Sequence, residues 1–441
     1  MRYTFRGGVH LNDRKNTANI QTELLPPPPE VSIPMSQHIG APCRPIVGVG
    51  DHVLVGQKIG EAEGLGCPVH SSVSGTVKEL CEVYTPAGRK IQNIVIENDG
   101  CGTLSPDIAP LAKKLSECST EEIVDRIREA GISGMGGAAF PTYAKISSAV
   151  GRAELIIVNC AECEPYITAN HRLILENPAS VVNGAKILMK ALGIRKTYFA
   201  IEDNKLDAAN VLEEFAAKSE LFEVKLMRTK YPQGDERQLV YALTGKELAP
   251  GKLPADAGVV IFNAETCAAI YNALATGMPL IRRIVTVDGD CVRRPMNFLV
   301  PVGTRASYLA ECCGGLVKSP ARIIFGGPMM GQAVWDKDSP VTKGTSAVLF
   351  LSSDEISPAA QEPVCISCGK CVRHCPMHLM PCYIARYSRA NDFAAAKAAG
   401  AMSCVECGSC SYICPEKIEI VQSIRKAKAE IRAMDAKAKQ I

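Results

Sequence analysis

The sequence predicts a multidomain chain in which α/β and all-β modules are followed by a helical segment. Three observations lead to this. Apolar runs of buried-strand length, LIIV at 155–158, VVIF at 259–262 and AVLFL at 347–351, punctuate the middle of the chain. Short β-branched segments separated by Gly turns fill much of the N-terminal quarter. One cysteine pattern occurs twice near the C-terminus. A length of 441 residues suits about three domains at roughly 150 residues each. With 47% hydrophobic and 22% charged residues, the chain is not collagen, a coiled coil or a disordered polymer. The 49 bases nearly balance 46 acids, so no global field points to nucleic acid, and none is expected as a partner. No apolar run approaches the length of a spanning helix, and MRYTFRGGVH lacks the apolar core of a signal peptide. A soluble cytoplasmic protein is therefore expected.

The first module is assigned to residues 1–110. It opens with a segment ending in Pro26–Pro29, a stiff extended spacer. Then come Gln37-His38, Gly50-Asp51-His52 with Gly56-Gln57, and Pro68-Val69-His70 leading to Ser74-Gly75. This spacing resembles lipoyl- and biotinyl-type barrel-sandwich domains, which implies a barrel-sandwich hybrid. No lysine lies between Glu61 and Ser74 to accept a prosthetic group, so only the scaffold is expected. His10, His38, His52 and His70 read better as solvated or core histidines than as metal ligands.

An α/β domain is assigned to 115–278. A helix at 119–130 opens at Ser119 or Thr120 followed by two acids, a plausible N-cap. It leads into Gly131-Ile-Ser-Gly134-Met-Gly136-Gly137-Ala-Ala-Phe140, with Lys145 shortly after. Bare glycine backbone can approach a phosphate, and the lysine supplies charge. The strand at 155–158 ends in Asn159-Cys-Ala-Glu162-Cys-Glu164, and the strand at 259–262 ends in Asn263-Ala-Glu265-Thr266. Gly234-Asp235-Glu236 stands between them. Polar residues at the carboxyl ends of α/β strands are where ligands bind, which suggests a phosphate-bearing redox cofactor.

These four stretches together resemble the FMN- and NADH-binding subunit of respiratory complex I. The resemblance implies a Rossmann-like domain in which Gly134, Gly136, Gly137, Lys145, Asn159, Glu162, Gly234, Asp235, Asn263 and Thr266 surround FMN. Phe140, Glu164 and Glu236 would face the dinucleotide, NAD(H) being a substrate. The chain departs from that family at Met135, where Arg is usual, at Ala161, where Asp is usual, and around 249–254, where no aromatic stands. Cys160-x2-Cys163 reads as a redox pair, as half a metal site, or as small residues lining the flavin loop, the last being favoured.

The C-terminal module, 358–441, carries Cys365, Cys368, Cys371, Cys375-Pro376 and Cys404, Cys407, Cys410, Cys414-Pro415. Each run is C-x2-C-x2-C-x3-C-P, which holds a [4Fe–4S] cluster, and the fourth Cys of such a run ligates the other cluster. One cluster is thus assigned Cys365, Cys368, Cys371 and Cys414, and the other Cys404, Cys407, Cys410 and Cys375. Structural zinc needs four thiolates, not this pattern twice. The spacer 376–403 reads mostly as helix, pointing to a helical two-cluster ferredoxin arrangement. The tail from Lys417 has apolar Ile420, Ile424 and Ile431 and seven bases. It reads as a helix with a solvated basic face, or as one touching anionic lipid.

FRGGVH, QHIGAP, PVHSSVSGTV, GGAAFPTYAK, AECEPY and the two cluster runs, in this order, resemble the C subunit of Rnf electron-transport complexes over essentially the whole chain. The resemblance implies a β-grasp, soluble-ligand-binding domain at 279–352, with Cys312 and Cys313 in its packing. It also implies an enzyme subunit in which NAD(H) exchanges hydride with FMN and the clusters relay single electrons. The partners would be the other Rnf membrane subunits, including the ferredoxin-like B subunit, and the flow would be coupled to Na+ or H+ translocation. The protein would be peripheral, on the cytoplasmic face of the cell membrane. Two alternatives are a cobalamin reductase-type protein, whose cluster runs precede the barrel-sandwich region, and a non-catalytic iron–sulfur adaptor.

Overall fold

A computed structural model describes residues 2–85, 88, 90–356 and 364–438. The boundary expected at 358 and the tail residues 439–441, Lys439 included, lie outside the described residues.

The barrel-sandwich module is two small antiparallel sheets. One contains Glu30–Pro34, Lys90–Asn98, Gly75–Tyr84 and His52–Val53 in that order; the other contains Cys43–Pro45, Lys58–Ala62 and Val69–His70. Val31, Ile33, Met35, Ile59, Ile94 and Ile96 fill the space between them. His38 and His70 are buried, while His52 pairs with Asp99 at the surface, as solvated and core histidines should.

The segment ahead of Pro26 is not part of that barrel. Tyr3 bridges Met227 and Val9 bridges Tyr231, both in the α/β domain. Thr22–Leu24 then adds a parallel edge strand beside Met296–Pro301. Between them the Lys15 ammonium donates to the carbonyls of Glu162 (2.9 Å) and Glu164 (2.7 Å). This segment is a strap across the domains, assembled from pairings that no local pattern announces.

Four parallel strands form the α/β sheet, ordered Phe222–Met227, Thr197–Glu202, Leu155–Asn159, Val259–Asn263. In chain order this is 3-2-1-4, so the sheet changes winding direction between Leu155–Asn159 and Val259–Asn263. Alternate residues serve opposite faces. Ile156, Val158, Phe199 and Phe262 meet Thr120–Glu129, Pro178–Leu192 and Ala264–Ala275; Ile157, Ala200, Val259 and Ile261 meet Glu236–Thr244. Ser119 and Glu122 make the full capping box that starts the first helix. Gly184 lets two helices close up, since a Cβ there would lie 1.9 Å from the Cys267 carbonyl.

The β-grasp region is a six-stranded mixed sheet ordered Thr22–Leu24, Met296–Pro301, Arg282–Asp288, Ala347–Leu351, Arg322–Phe325, Gln332–Val334. The helix Ala306–Cys312 covers Val285, Val287, Phe298 and Phe350, and Cys313 is part of that core. Short helices at Lys370–Arg373, Pro381–Arg389, Phe393–Ala398 and Ser409–Tyr412 build the last domain, with Ile420–Ala438 packed along them. Ile420, Ile424 and Ile431 are buried against Ile384 and Ala396, so the apolar stripe of the tail belongs to this core. Its basic face is not uniformly solvated: Lys428 is buried and paired with Glu406 at 2.5 Å. Among the described residues no helix is long and apolar enough to cross a membrane.

Candidate functional site: a flavin crevice facing a four-thiol pocket

The reversal of winding opens a crevice at the carboxyl ends of two neighbouring strands, where ligands bind in open α/β sheets. Asn159 and Asn263 end those strands in register with each other. Asn159 donates to the Gly234 carbonyl (2.9 Å) and accepts from Ala161 N (3.0 Å). Asn263 caps the helix Ala264–Ala275, accepting from the amides of Glu265 (2.9 Å) and Thr266 (3.4 Å). Asp235 caps Glu236–Thr244 by accepting from Arg237 N and Gln238 N. Two helix N-termini, each a concentration of positive partial charge, thus open on one crevice.

The glycine loop lies over it. Gly134 N donates to the Phe140 carbonyl (2.8 Å), closing the loop on itself, and Met135 N donates to Thr266 Oγ1 (2.9 Å). A Cβ on Gly136 would lie 3.3 Å from Asn263 Cβ, whereas Gly137 faces open space. Ala139 holds φ at +50°, a left-handed conformation that costs a non-glycine residue free energy. Lys145 and Glu236 pair at 2.5 Å on the rim, the lysine 27% exposed.

Buried side chains next in sequence to the crevice residues lack partners within the protein. Gln233 is fully buried with both amide atoms unpaired, and the hydroxyls of Ser133 and Thr142, which flank the glycine loop, are unpaired too. Buried polar groups without a partner cost roughly 1–3 kcal/mol each. A cradle of bare backbone beneath two helix N-termini fits a polar, phosphate-bearing flavin.

Nine of the ten residues expected around the flavin are gathered here: Gly134, Gly136, Gly137, Lys145, Asn159, Gly234, Asp235, Asn263 and Thr266. Glu162 is not. Its carboxylate accepts from Asn170 N and His171 N, capping the helix Ala169–Glu176. Of the residues expected at the dinucleotide, Phe140 and Glu236 border the crevice, and Glu164 departs from it. Its carboxylate accepts from Met329 N (3.0 Å) and Met330 N (2.8 Å) of the β-grasp loop, and burial pushes its pKa up to about 7. Sequence reasoning missed Arg283. This buried side chain pairs with Glu265 at 2.6 Å and reaches the Met135 carbonyl at 3.5 Å, bracing the glycine loop from the neighbouring sheet. Its only sequence signal is a second arginine, after Arg282, at the start of the strand Arg282–Asp288.

Behind the Gly234–Glu236 loop lies the second centre. Cys375, Cys404, Cys407 and Cys410 line one pocket, and each of the last three feels the charge of Cys375. Leu379 N points at Cys375 Sγ (3.4 Å) and Glu406 N at Cys404 Sγ (3.3 Å). Burial pushes all four thiols upward, Cys404 to about 11. Iron would offset that cost by binding the thiolates, and the amide hydrogen bonds suit cluster sulfurs. The other four ligands are less closely gathered. Cys371 and Cys414 are buried in the helical core, but Cys365 and Cys368 lie on the exposed segment 364–369. Cys371 has Cys382 as its thiol neighbour.

Crevice and pocket share a wall. Tyr231 Oη donates to the Cys407 carbonyl (2.7 Å), Gln238 Nε2 approaches the Pro376 carbonyl (3.4 Å), and Asp235 lies close enough to act on the Cys407 thiol. Cys163 packs with Tyr231, Cys407 and Met329, while Cys160 lies on the other side near Cys267. The two cysteines therefore serve different neighbours instead of pairing.

Comparison with known proteins agrees with this layout. Family models match as the RnfC barrel sandwich hybrid domain over 3–101, the Nuo51 FMN-binding domain over 127–272, the SLBB domain over 284–333 and a 4Fe-4S dicluster domain over 358–415. The C subunit of the Na(+)-translocating ferredoxin:NAD(+) oxidoreductase complex of Acetobacterium woodii is 44% identical over 98% of both chains. Its counterpart in the proton-translocating complex of Clostridium ljungdahlii is 42% identical over 99% of this chain and 96% of its own. A chain of an NAD+-reducing [NiFe]-hydrogenase in the H2-reduced state shares the fold, with a TM-score of 0.51 at 19% identity. That match covers 73% of this chain and 62% of the hydrogenase chain. The chain carries FMN- and [4Fe–4S]-binding domains, and it belongs to the RnfC family, the C subunits of ion-translocating oxidoreductase complexes.

Proposed function

We propose that this chain is the electron-transfer subunit of a membrane-bound ferredoxin:NAD oxidoreductase complex, with NAD(H) reacting at the flavin crevice. When bound, FMN supplies the exchange between two-electron chemistry with nicotinamide and one-electron chemistry with the clusters. The protein's part is orientation and electrostatics. Gly134, Gly136 and Gly137 offer bare backbone to the cofactor, the helices capped by Asp235 and Asn263 aim the positive ends of their dipoles at its phosphate, and Asn159 fixes the opposite wall. Lys145, paired with Glu236, can exchange that partner for a phosphate. Phe140 and Glu236 sit where a dinucleotide would enter.

The observation that carries this reading is one loop with two neighbours: Gly234 bonds to Asn159 in the crevice, and Tyr231 bonds to Cys407 in the thiol pocket. The pocket of Cys375, Cys404, Cys407 and Cys410 is therefore assigned to the cluster next to the flavin, and Cys365, Cys368, Cys371 and Cys414 to the one beyond it. Ion translocation falls to other subunits, the ferredoxin-like B subunit among them, with this chain peripheral on the cytoplasmic face. The end-to-end match to C subunits does not favour a cobalamin reductase, and the complete glycine loop argues against an adaptor.

Stopped-flow mixing of anaerobically purified protein with NADH tests the reading. Flavin absorbance should bleach first and cluster absorbance afterwards. Clusters reduced by NADH in flavin-free protein would refute this order, and no flavin reduction at all would move the assignment to the adaptor.

A further inference from the structure

We propose that the face bearing Cys365 and Cys368 is a docking surface for an acidic iron–sulfur electron carrier. The inference rests on the reading above that the clusters exchange electrons with another protein.

The two thiol sets differ in exposure. Cys375, Cys407 and Cys410 are buried, Cys407 against Tyr231 of the flavin domain, whereas Cys365 and Cys368 are exposed. Val364 and Ile366, which flank Cys365, are 70% and 58% exposed. Exposed apolar side chains around a redox centre give a carrier a dry contact close to the metal.

Charge selects the partner. Between 364 and 391 stand Lys370, Arg373, Arg386 and Arg389, and no Asp or Glu. All four are exposed, and none of them has an ion-pair partner among the described residues. Elsewhere in the domain Lys397, Arg425 and Lys428 are each paired with an acid, while Lys417, Lys426, Arg432 and Lys437, on and just before the terminal helix, also lack an ion-pair partner among the described residues. Arg373 lies against the ligand loop, since a Cβ on Gly369 would be 3.2 Å from its Nη1. With His374, Lys230 and His10 it also lines a cleft of about 300 Å³ that has no acidic wall. Burial and the nearby Arg228 already disfavour the charge on Lys230. A carboxylate entering this cleft meets Arg373 and Lys230 together. Anionic lipid is the weaker occupant, because the apolar stripe of the terminal helix is already buried in the domain core.

The test is a Lys370→Glu, Arg373→Glu double variant of the full chain with flavin and clusters loaded. Reduced two-cluster bacterial ferredoxin, an acidic carrier, is mixed with it directly, so the result does not depend on NADH. The expected outcome is an on-rate at least about tenfold lower at low salt, with a flattened salt dependence. Iron and FMN content and the rate at which NADH bleaches the flavin should be unchanged, and the corresponding Gln pair should fall between variant and parent. An unchanged rate and salt dependence would overturn the proposal. Loss of binding to phosphatidylglycerol vesicles at an unchanged ferredoxin rate would also overturn it and assign the face to the membrane.

Discussion

The Tyr231 hydroxyl donates a 2.7 Å hydrogen bond to the carbonyl oxygen of Cys407. A side chain of the loop that shapes the flavin crevice thus holds the backbone of an expected cluster ligand 176 residues away. Both residues are buried, with Val9 of the strap packed beside them.

Tyr231→Phe removes that donor and keeps the ring. It leaves a buried carbonyl without a partner, at a cost of roughly 1–3 kcal/mol. Flavin bleaching by NADH should proceed at the parent rate, while the later cluster phase slows. Iron and FMN content should not change. A cluster phase identical to the parent's would show that this bond does not set the distance between the centres.

Ligand exchange between the cysteine runs is tested by two serine variants. Cys375 shares a pocket with Cys404, Cys407 and Cys410, so Cys375→Ser should alter the paramagnetic signal of their cluster. Cys414→Ser should alter the signal of the cluster held by Cys365, Cys368 and Cys371. If each substitution disturbs its own run's cluster instead, the crossed assignment is wrong.

Glu164 makes stability depend on pH. Its carboxyl, buried beneath the β-grasp loop, has a pKa raised from 4.5 to about 7. The folded state therefore binds this proton more tightly than the unfolded chain. The stability it contributes is complete below about 4.5 and is lost as pH rises through about 7. Melting temperature should fall with pH between about pH 4.5 and 7 and level off above that, and Glu164→Gln should flatten that slope. Because the carboxylate faces Met329 and Met330 and not the crevice, NADH should still reduce the flavin of the variant at the parent rate. An unchanged pH slope would mean that the carboxyl does not titrate there.

Much of the site was legible because its chemistry is local in sequence. The cysteine spacings, the glycine loop and the polar ends of two apolar strands are each short, continuous stretches. Secondary structure followed for the same reason, as with Ser119 capping its own helix. What escaped was non-local. Glu162 and Glu164 sit on the expected loop, but one carboxylate turns to the amides of Asn170 and His171 and the other to those of Met329 and Met330. No alternation reveals that Lys15 reaches Glu162 or that Arg283 reaches Met135, since these contacts join positions 147 and 148 residues apart. The segment ahead of Pro26 read as a leader to the barrel for the same reason. Its partners, Met227, Tyr231 and the strand Met296–Pro301, are encoded far later in the chain.

Gly136 offers the sharpest separation of the flavin from the clusters. A Cβ at this position would stand 3.3 Å from Asn263 Cβ, tighter than ordinary contact, and Asn263 is fixed by the two amides it caps. Alanine therefore forces a shift of a few tenths of an ångström in the loop or the cap. Valine adds two methyl groups beyond that Cβ, and the space open to them is the crevice itself. Overpacking of this kind costs about 1–3 kcal/mol, too little to unfold a chain whose glycine loop is also braced by Arg283 and Thr266. Gly136→Val should thus purify folded, with the iron content of the parent and no bound flavin, and Gly136→Ala should retain flavin at reduced affinity. Fluorescence titration with FMN and iron analysis of the same preparations measure both. Parent-like FMN affinity in the valine variant would place the cofactor away from this loop, and loss of iron alongside flavin would show that the two centres are not independently held.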